Sequence, residues 1–438
     1  MAEAVAGSQA PAKGRHGSIG VWGAAALVTG SMVGSGVYLL PATMGAVGSI
    51  SILGWVAASL AALAIAGVFV WLGPAAPRAK GLPDYVEAGL GRFFGVQCGV
   101  AYWSNNWVGD AALGVALAGS VGYLVPGLAT HAARLPLTLA FIWVAVAAAW
   151  IGPRMVARVE GVTLGVGLLP VVLAAVFGWL AFHPAMFLAN WNPQGLGLTQ
   201  AVGASGLTAF WGFLGIECAA AVAGVVRDPA RNVPRATLLG VGGVAVLYIA
   251  ACTVLMGILP AGALAASSAP FADASRTAFG VGVGALIATC ALLRALGCLT
   301  GWTLVSAETT RTAADGGMFP ALFRTRPGER SSAPNLLAMG ILTSLMAIGT
   351  VSPTLGQQFS VLANVSVLLT LYCYVLAGVS LIRISGPGTA RRAAIVTTAV
   401  LAIAAALALA ASAKPLELAL ALVPLACAAL LYLWLRRR

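Results

Sequence analysis

Charged residues are scarce in this chain: Asp, Glu, Lys and Arg together make up 8% of its 438 residues. A soluble globular domain carries about 25% charged residues, so the composition excludes an ordinary water-soluble globule. Hydrophobic residues account for 60% of the chain, and the mean hydropathy is +0.96. The composition therefore predicts an all-α polytopic membrane protein embedded in a lipid bilayer.

Signatures of enzymes and of metal sites are also missing. The sequence contains no GxxxxGK[ST] phosphate loop, no HExxH zinc motif and no GxSxG nucleophile elbow. Its seven cysteines show no CxxC spacing and have no adjacent histidine, so we expect buried thiols that act as small apolar residues. We therefore expect no enzyme activity, no metal site and no cofactor.

The net charge of +12 does not indicate a nucleic-acid partner, because the basic residues recur between apolar stretches and form no patch. About 20 apolar residues cross a bilayer, and by that measure the sequence predicts twelve spans. They lie at about 19–41, 50–73, 94–125, 135–152, 156–181, 200–225, 236–259, 280–310, 335–351, 357–382, 392–412 and 416–435.

The distribution of Lys and Arg predicts the orientation. With the N-terminus in the cytoplasm, most of the 24 Lys and Arg residues fall in cytoplasmic loops, as the positive-inside rule requires. Residues 1–18 are polar and basic and lead into the first span without a cleavage-like site, so we expect a cytoplasmic tail and no removable signal peptide. Both termini are predicted to be cytoplasmic.

Two of the predicted spans contain stretches that disfavour a continuous helix. Thr29–Pro41 reads TGSMVGSGVYLLP, and Trp211–Glu217 reads WGFLGIE. Glycine frees the backbone and serine competes for its hydrogen bonds. Broken helices in corresponding places of two halves point to a transporter's substrate site. We therefore predict two inverted five-span repeats over residues 19–385, followed by two additional helices over 386–438.

A helix break inside a bilayer frees peptide groups that a ligand can bind. Freed amides favour a carboxylate, and freed carbonyls favour an ammonium group or a cation. The two breaks together suit an amino acid, and a glycine-mediated helix contact is the alternative. The candidate contacts are Thr29, Ser31, Ser35 and Gly36 in the first break and Phe213, Leu214, Gly215 and Ile216 in the second.

Ionisable groups inside spans are costly, so they are functional hypotheses. Glu217 ends the second break and is predicted to bind protons or to couple gate movements, with capping of freed amides as the alternative. Glu308 is predicted to form an ion pair at an inner gate or loop. Asp110 and Arg294 leave two possibilities open: they pair with each other, or Asp110 binds the distal ammonium of a cationic substrate.

Aromatic and polar side chains near the span centres complete the candidate site. Trp211 adjoins the second break, and a ring face attracts a substrate cation. For the other aromatic residues, core packing is the alternative. These aromatic residues are Trp103, Trp107, Trp302, Tyr102, Tyr372 and Tyr374. Asn105, Asn106, Ser366 and Thr370 are predicted either to bind substrate or to connect helices.

Three segments carry a family resemblance: SMVGSGVYLLPA at 31–42, FWGFLGIECAAAVAGVVRDPARNVPRAT at 210–237 and CLTGWTLVSAETTRTAADGGMFP at 298–320. The chain resembles the amino acid–polyamine–organocation superfamily. Its nearest branch is the bacterial basic amino acid/polyamine antiporters, which include arginine/agmatine, lysine/cadaverine and ornithine/putrescine exchangers. The resemblance implies the LeuT-type five-plus-five fold with broken helices 1 and 6, an inner-membrane location and a possible homodimer.

The resemblance also implies residue roles. Ser35 and Gly36 would hold the substrate carboxylate, Trp211 would be an outer gate, and Glu217 would link substrate to gate movement. Trp302 would pack on the aliphatic part of the substrate, Ser366 would be a site serine, and Tyr374 an inner-gate tyrosine. The chain departs from the family pattern at Ser31, where Asn is common, and at Asp110 and Arg294. It also departs near Pro83, where Tyr85 is the nearest tyrosine.

These observations predict an antiporter that exchanges a cationic amino acid for its decarboxylated amine by alternating access. Two alternatives on the same fold are a proton-coupled importer of amino acids and an exchanger of neutral ones. A membrane sensor that transports nothing is a third. A channel would show a repeated carbonyl loop or a ring of charges, and the sequence has neither.

Overall fold

The computed structural model describes residues 19–77, 79, 81–217, 226–324, 332–386 and 391–436. In this part of the chain the regular structure is helical, apart from one isolated parallel bridge between Ile19 and Val226. The α-helices, in chain order, are α1 (Val21–Met32), α2 (Leu40–Val47), α3 (Ser51–Ala75), α4 (Leu82–Leu90), α5 (Arg92–Leu124), α6 (His131–Ile151), α7 (Pro153–Phe177), α8 (Pro184–Ala189), α9 (Leu198–Phe210), α10 (Pro229–Ile258), α11 (Ala261–Ala266), α12 (Pro270–Phe279), α13 (Val281–Asp315), α14 (Ala333–Gly349), α15 (Leu355–Ile384), α16 (Arg392–Ala410) and α17 (Pro415–Arg436).

Nine helices of the described chain are long and apolar enough to cross a bilayer. They are α3, α5, α6, α7, α10, α13, α15, α16 and α17. The prediction of a polytopic helical membrane protein is confirmed at this level. The first, sixth and ninth predicted spans are absent from this set. The helices α1 and α9 are short and end at interruptions, and α14, in the ninth predicted span, has only 17 residues.

The helices differ in how deeply they lie in the protein. In α5 and α15, 78% of the most apolar window is buried, whereas the share is 28% in α6 and α16 and 17% in α17. The exposed faces of the outer helices carry large apolar side chains, among them Trp150, Leu401 and Leu422. Apolar outer faces suit a hydrocarbon solvent. The polar residues that α5 and α15 contribute therefore lie at the centre of the bundle.

Proline and glycine set several of the helix boundaries. Pro153, Pro229 and Pro415 each occupy the first position of a helix, where the missing N–H would have no intrahelical partner. Gly152, between α6 and α7, has φ 123°, a conformation that residues with a Cβ rarely adopt. Gly152 therefore allows the chain to turn sharply between two consecutive spans.

The motif D-P-x-R-N-V-P joins the start of the first span to the start of α10. The amide of Arg227 donates a 2.9 Å hydrogen bond to the carbonyl of Ile19, next to the Ile19–Val226 bridge. Asp228 has φ 46°, and the Asn232 side chain donates to the carbonyl of Arg227 at 2.5 Å. The motif thus forms a tight turn against the beginning of α1.

Candidate functional site

The first apolar span is interrupted near its middle. α1 ends at Met32, and a 3₁₀ helix over Ser35–Tyr38 leads into α2. Between them, Val33 leaves the helical conformation with φ −76° and ψ 77°. The carbonyl groups at the end of α1 therefore point to partners outside the helix. The carbonyl of Met32 accepts hydrogen bonds from the amide of Gly34 at 2.8 Å and from the Tyr248 hydroxyl at 3.2 Å.

The second interruption follows α9. A 3₁₀ helix over Trp211–Phe213 is succeeded by extended backbone at Leu214 and by Gly215 with φ 101°. The side chain of Phe213 is fully buried, and its ring lies 6.3 Å from that of Trp55 and 6.1 Å from that of Tyr248. Because Tyr248 also contacts Met32, one aromatic cluster supports both interruptions.

A cavity of about 510 Å³, here called the central cavity, is lined by residues of both interruptions. It brings together the predicted site residues Asn105, Asn106, Asp110, Trp211, Leu214, Glu217, Trp302 and Ser366, with Thr370 beside them. Two carboxylates, Asp110 and Glu217, face the cavity, and its described lining contains no Lys, Arg or His. This charge pattern favours a cationic ligand.

Glu217 accepts hydrogen bonds on both carboxylate oxygens. The Tyr102 hydroxyl donates to Oε1 at 2.8 Å, and the Tyr374 hydroxyl donates to Oε2. These tyrosines come from α5 and α15, so the carboxylate connects the second interruption to both central helices. A second cavity, of about 1,120 Å³, is lined by Glu217 and Tyr102 as well, and Glu217 therefore stands where the two cavities meet.

Asp110 is buried, and its two oxygens differ in environment. The Thr303 hydroxyl donates to Oδ2 at 2.8 Å, whereas Oδ1 has no hydrogen-bond partner among the described residues. The amide nitrogen of Asn106, one helical turn away, is likewise buried without an acceptor in the described part of the chain. A buried polar atom without a partner is costly, so both atoms suit a ligand in the central cavity.

The alternative in which Asp110 pairs with Arg294 is wrong. Arg294 instead forms an ion pair with Glu160, with 2.8 Å between Nη1 and Oε1. Its Nε and Nη2 atoms donate to the carbonyl of Val33 at 3.1 and 2.8 Å. The guanidinium is therefore occupied by α7 and by the first interruption, and the Asp110 carboxyl group is left to another partner.

Asn105 and Ser366 both line the central cavity and connect two helices. The Ser366 hydroxyl lies within hydrogen-bond distance of the side-chain oxygen of Asn105 and of its backbone carbonyl, the latter at 3.1 Å. The side-chain amide of Asn105 donates to Asn106 at 3.0 Å. The interpretations of these residues as ligand contacts and as helix connectors are thus compatible.

Trp211 packs across the central cavity against a glycine. A Cβ added to Gly109 would lie 3.1 Å from the indole of Trp211, so glycine lets the ring approach α5 closely. The ring also makes an edge contact with Phe359, with 5.9 Å between the centroids. Trp302 lines the same cavity from α13, one turn after Cys298.

Of the predicted gate residues, Trp211 lines the central cavity and Glu217 lines both cavities, whereas Tyr374 lines neither and contacts Glu217. Tyr85 lines the second cavity together with Asp84 and Glu308. Burial, with the neighbouring Asp84 carboxylate, raises the pKa of Tyr85, so its phenol stays protonated and able to donate. Glu308 forms a 2.8 Å ion pair with Arg311, one turn later in α13, so the predicted ion pair exists and its role at an inner gate stays a prediction.

Of the eight contacts predicted at the two breaks, only Leu214 belongs to the described lining of the central cavity; the other seven are Thr29, Ser31, Ser35, Gly36, Phe213, Gly215 and Ile216. Phe213 packs in the core, so a role in binding through its backbone stays a prediction. The side chains of Ser31 and Ser35, and the surroundings of Gly36, lie outside the described residues, although the backbone of Ser35 and Gly36 forms the 3₁₀ helix after the first interruption. Residues 218–225 also lie outside the described chain.

Sequence reasoning missed several partners. Tyr102 is one of the aromatic candidates named from the sequence, and the missed feature is its hydrogen bond to Glu217; its position one turn from Asn106 on α5 is the local signal that it lies near the site. Thr303 lies within the segment 298–320, but nothing in the sequence distinguishes it from the neighbouring threonines. Glu160 lies near the start of the predicted span 156–181, and no local pattern marks it as the partner of Arg294.

Comparison with known proteins agrees with this geometry. Residues 19–427 match the family model described as amino acid permease. The chain is 33% identical over 373 residues to the cadaverine/lysine antiporter of Escherichia coli strain K12, covering 84% of each protein. It is 31% identical over 353 residues to the putrescine transporter PotE of the same strain, covering 80% of each, and 29% identical over 363 residues to PotE of Haemophilus influenzae, covering 83% of each. The chain therefore belongs to the amino acid permease family of membrane transporters, within the amino acid–polyamine–organocation superfamily.

Proposed function

We propose that the protein is an antiporter that exchanges a cationic amino acid for its decarboxylated amine or polyamine. The observation that carries this proposal is the pair of carboxylates, Asp110 and Glu217, in one central cavity whose described lining has no cation. An ammonium group close to a carboxyl group favours its ionised form, so a site with two carboxyl groups and no cation in its described lining suits ligands with one or two ammonium groups. The similarity to a cadaverine/lysine antiporter and a putrescine transporter supports this substrate class.

In the proposed complex, the distal ammonium of the ligand binds Asp110 Oδ1, and its alkyl chain packs between Trp211 and Trp302. The proximal ammonium faces Glu217, which already holds Tyr102 and Tyr374. The carboxylate of an amino acid would bind the amides of Ser35 and Gly36 in the first interruption, with the Ser31 hydroxyl and Asn106 as further donors. An amine and an amino acid would thus compete for one site.

Glu217 is proposed to couple ligand binding to gating. It lies where the central cavity meets the second cavity, and its two tyrosine partners come from different helices. A ligand ammonium near Glu217 changes the charge that those tyrosines contact, and this biases helix positions. Trp211 would close one side of the site, and Tyr374 and Tyr85 the other.

The proposal includes the full architecture. Twelve spans would form two inverted five-span repeats over residues 19–385 plus two helices over 386–438, with residues 1–18 as a cytoplasmic tail. Both termini would be cytoplasmic in a bacterial inner membrane, and the protein would be able to form a homodimer. The interruptions after α1 and α9 support the repeat, since they occur in the first and sixth predicted spans.

The experiment that tests the function is counterflow in proteoliposomes. Vesicles loaded with lysine, ornithine or arginine are diluted into labelled cadaverine, putrescine or agmatine, and uptake is compared with that of empty vesicles. An antiporter requires internal ligand, and we expect negligible uptake into empty vesicles. Uptake into empty vesicles driven by a proton gradient, or exchange of neutral amino acids alone, would instead establish one of the two alternatives.

A further inference from the structure

Arg294 is fully buried, although it is a charged residue inside a predicted span. A guanidinium stays protonated in proteins, so a permanent positive charge lies within the helix bundle. It belongs to neither cavity described above. Its position must therefore be explained by the groups that it contacts.

The guanidinium caps the C-terminal end of α1. Two of its nitrogen atoms, Nε and Nη2, donate to the carbonyl of Val33 at 3.1 and 2.8 Å. The end of a helix carries a partial negative charge, and carbonyl groups at a helix break are places where transporters bind cations. Val33 stands between Met32 and Gly34, which both line the central cavity. The contact thus fixes the peptide at the edge of the substrate site.

Two glycines leave space for the side chains that make this contact. A Cβ at Gly167 would lie 2.2 Å from the Cβ of Arg294, and a Cβ at Gly301 would lie 2.3 Å from Oε2 of Glu160. The two glycines, one on α7 and one on α13, therefore leave room for the Arg294 stem and for the Glu160 carboxylate. The Tyr38 hydroxyl donates to the carbonyl of Gly167. Helix α7 therefore contacts the residues after the first interruption directly, and it contacts Val33 through the Glu160–Arg294 ion pair.

We propose that Arg294 is a positioning residue that serves as a built-in cation for the first interruption. Its guanidinium takes the place of a small cation between the Val33 carbonyl and the Glu160 carboxylate, and so holds the interruption in its ligand-binding shape. Exchange then requires no added inorganic cation. Loss of the guanidinium would leave a carbonyl and a carboxylate that a free cation can bind. The inference concerns the support of the site and rests on the proposed function only where exchange is measured.

The test compares wild-type protein with Arg294→Ala, Arg294→Lys and Glu160→Gln, and with Arg276→Ala as a matched control. Arg276 is an exposed arginine whose carboxylate partner, Asp273, is 3.8 Å away. Exchange in proteoliposomes is measured in N-methylglucamine chloride and again with sodium, lithium or guanidinium chloride. Thermal unfolding of the same detergent-purified proteins is measured with each salt, a readout that does not depend on transport.

We expect wild-type protein and Arg276→Ala to exchange equally in all four salts. Arg294→Ala should lose about tenfold or more of the exchange rate, because the buried Val33 carbonyl and the Glu160 carboxylate, which is 33% exposed, lose the cation that they share. Guanidinium should restore part of that loss and raise the unfolding temperature of Arg294→Ala more than that of wild-type protein. Arg294→Lys keeps a cation and should stay insensitive to sodium. Glu160→Gln should lower the exchange rate, and guanidinium chloride should not raise that rate again.

The proposal is overturned if wild-type exchange requires sodium or lithium, or if folded Arg294→Ala exchanges at the wild-type rate. If Arg294→Ala does not fold in any salt, a sodium requirement in Arg294→Lys also overturns it. If wild-type protein exchanges no amine at all, the proposed function fails. The role of Arg294 is then decided by thermal unfolding: a rise in the unfolding temperature of Arg294→Ala with guanidinium chloride that exceeds the rise in wild-type protein supports it, and an equal rise contradicts it.

Discussion

The hydroxyl of Tyr102 lies 2.8 Å from Oε1 of Glu217 and joins α5 to the end of the second interruption. The other oxygen of Glu217 accepts from Tyr374 on α15. Hydrogen bonds to a charged acceptor contribute about 1.5–3 kcal/mol each. The carboxylate is therefore tied to both central helices, and a change in its charge or contacts is transmitted to them.

Replacing Glu217 with Gln should abolish exchange, because the amide cannot keep the negative charge that faces the ligand ammonium. Tyr102→Phe removes a single hydrogen bond and should lower the exchange rate by about tenfold. Counterflow in proteoliposomes measures both effects, with Tyr432→Phe as the control at a tyrosine outside both cavities. Wild-type exchange in Glu217→Gln would contradict the coupling role.

How much of this arrangement the sequence predicts depends on the distance along the chain between partners. The glycine-rich stretches predict both interruptions because a local property of the backbone is enough. The helical spacing in α5 places Asn106 and Asp110 on one face for the same reason. Tyr102 and Glu217 are 115 residues apart, and Arg294 and Glu160 are 134 apart. No local pattern pairs such residues, because their contact depends on how whole helices pack.

The charge of Asp110 shows where prediction from residue types stops. The predicted spans place Asp110 and Arg294 inside the bilayer as two opposite charges, and both a mutual ion pair and a ligand site are consistent with that. Only the side-chain geometry separates them, since Arg294 bonds Glu160 and Val33 while Asp110 bonds Thr303. Similarly, Phe213 is adjacent in sequence to cavity residues, yet its ring packs in the opposite direction against Trp55.

Replacing Asp110 with Asn should reduce the gain in binding affinity that a ligand obtains from a second ammonium group. We expect cadaverine to bind about 30-fold or more weakly in Asp110→Asn, because a buried charge contact is lost, while pentylamine loses less. Isothermal titration of both ligands to both proteins measures the difference. The substrate role of Asp110 fails if the ratio of the two affinities is the same in wild-type and variant protein.

Replacing Trp302 with Ala should eliminate exchange, since the cavity loses the ring face against which the ligand packs. Trp302→Phe keeps a smaller aromatic face and should retain part of the activity. Trp150→Ala serves as the control because Trp150 is 51% exposed on the outer face of α6. Exchange rates as a function of ligand concentration should show a raised KM in Trp302→Phe. Unchanged kinetics in Trp302→Ala would remove this residue from the site.

Gly167 provides a test of the packing that surrounds Arg294. In Gly167→Ala the new Cβ would lie 2.2 Å from the Cβ of Arg294, so helix α7 or α13 has to shift. Overpacking of this kind costs about 1–3 kcal/mol, and we expect a lower unfolding temperature together with slower exchange. Gly165→Ala is the matched control, because a Cβ there meets no atom within 4 Å. It should leave both quantities close to the wild-type values. Equal unfolding temperatures for the two variants would mean that the close packing of Gly167 against Arg294 does not contribute to stability.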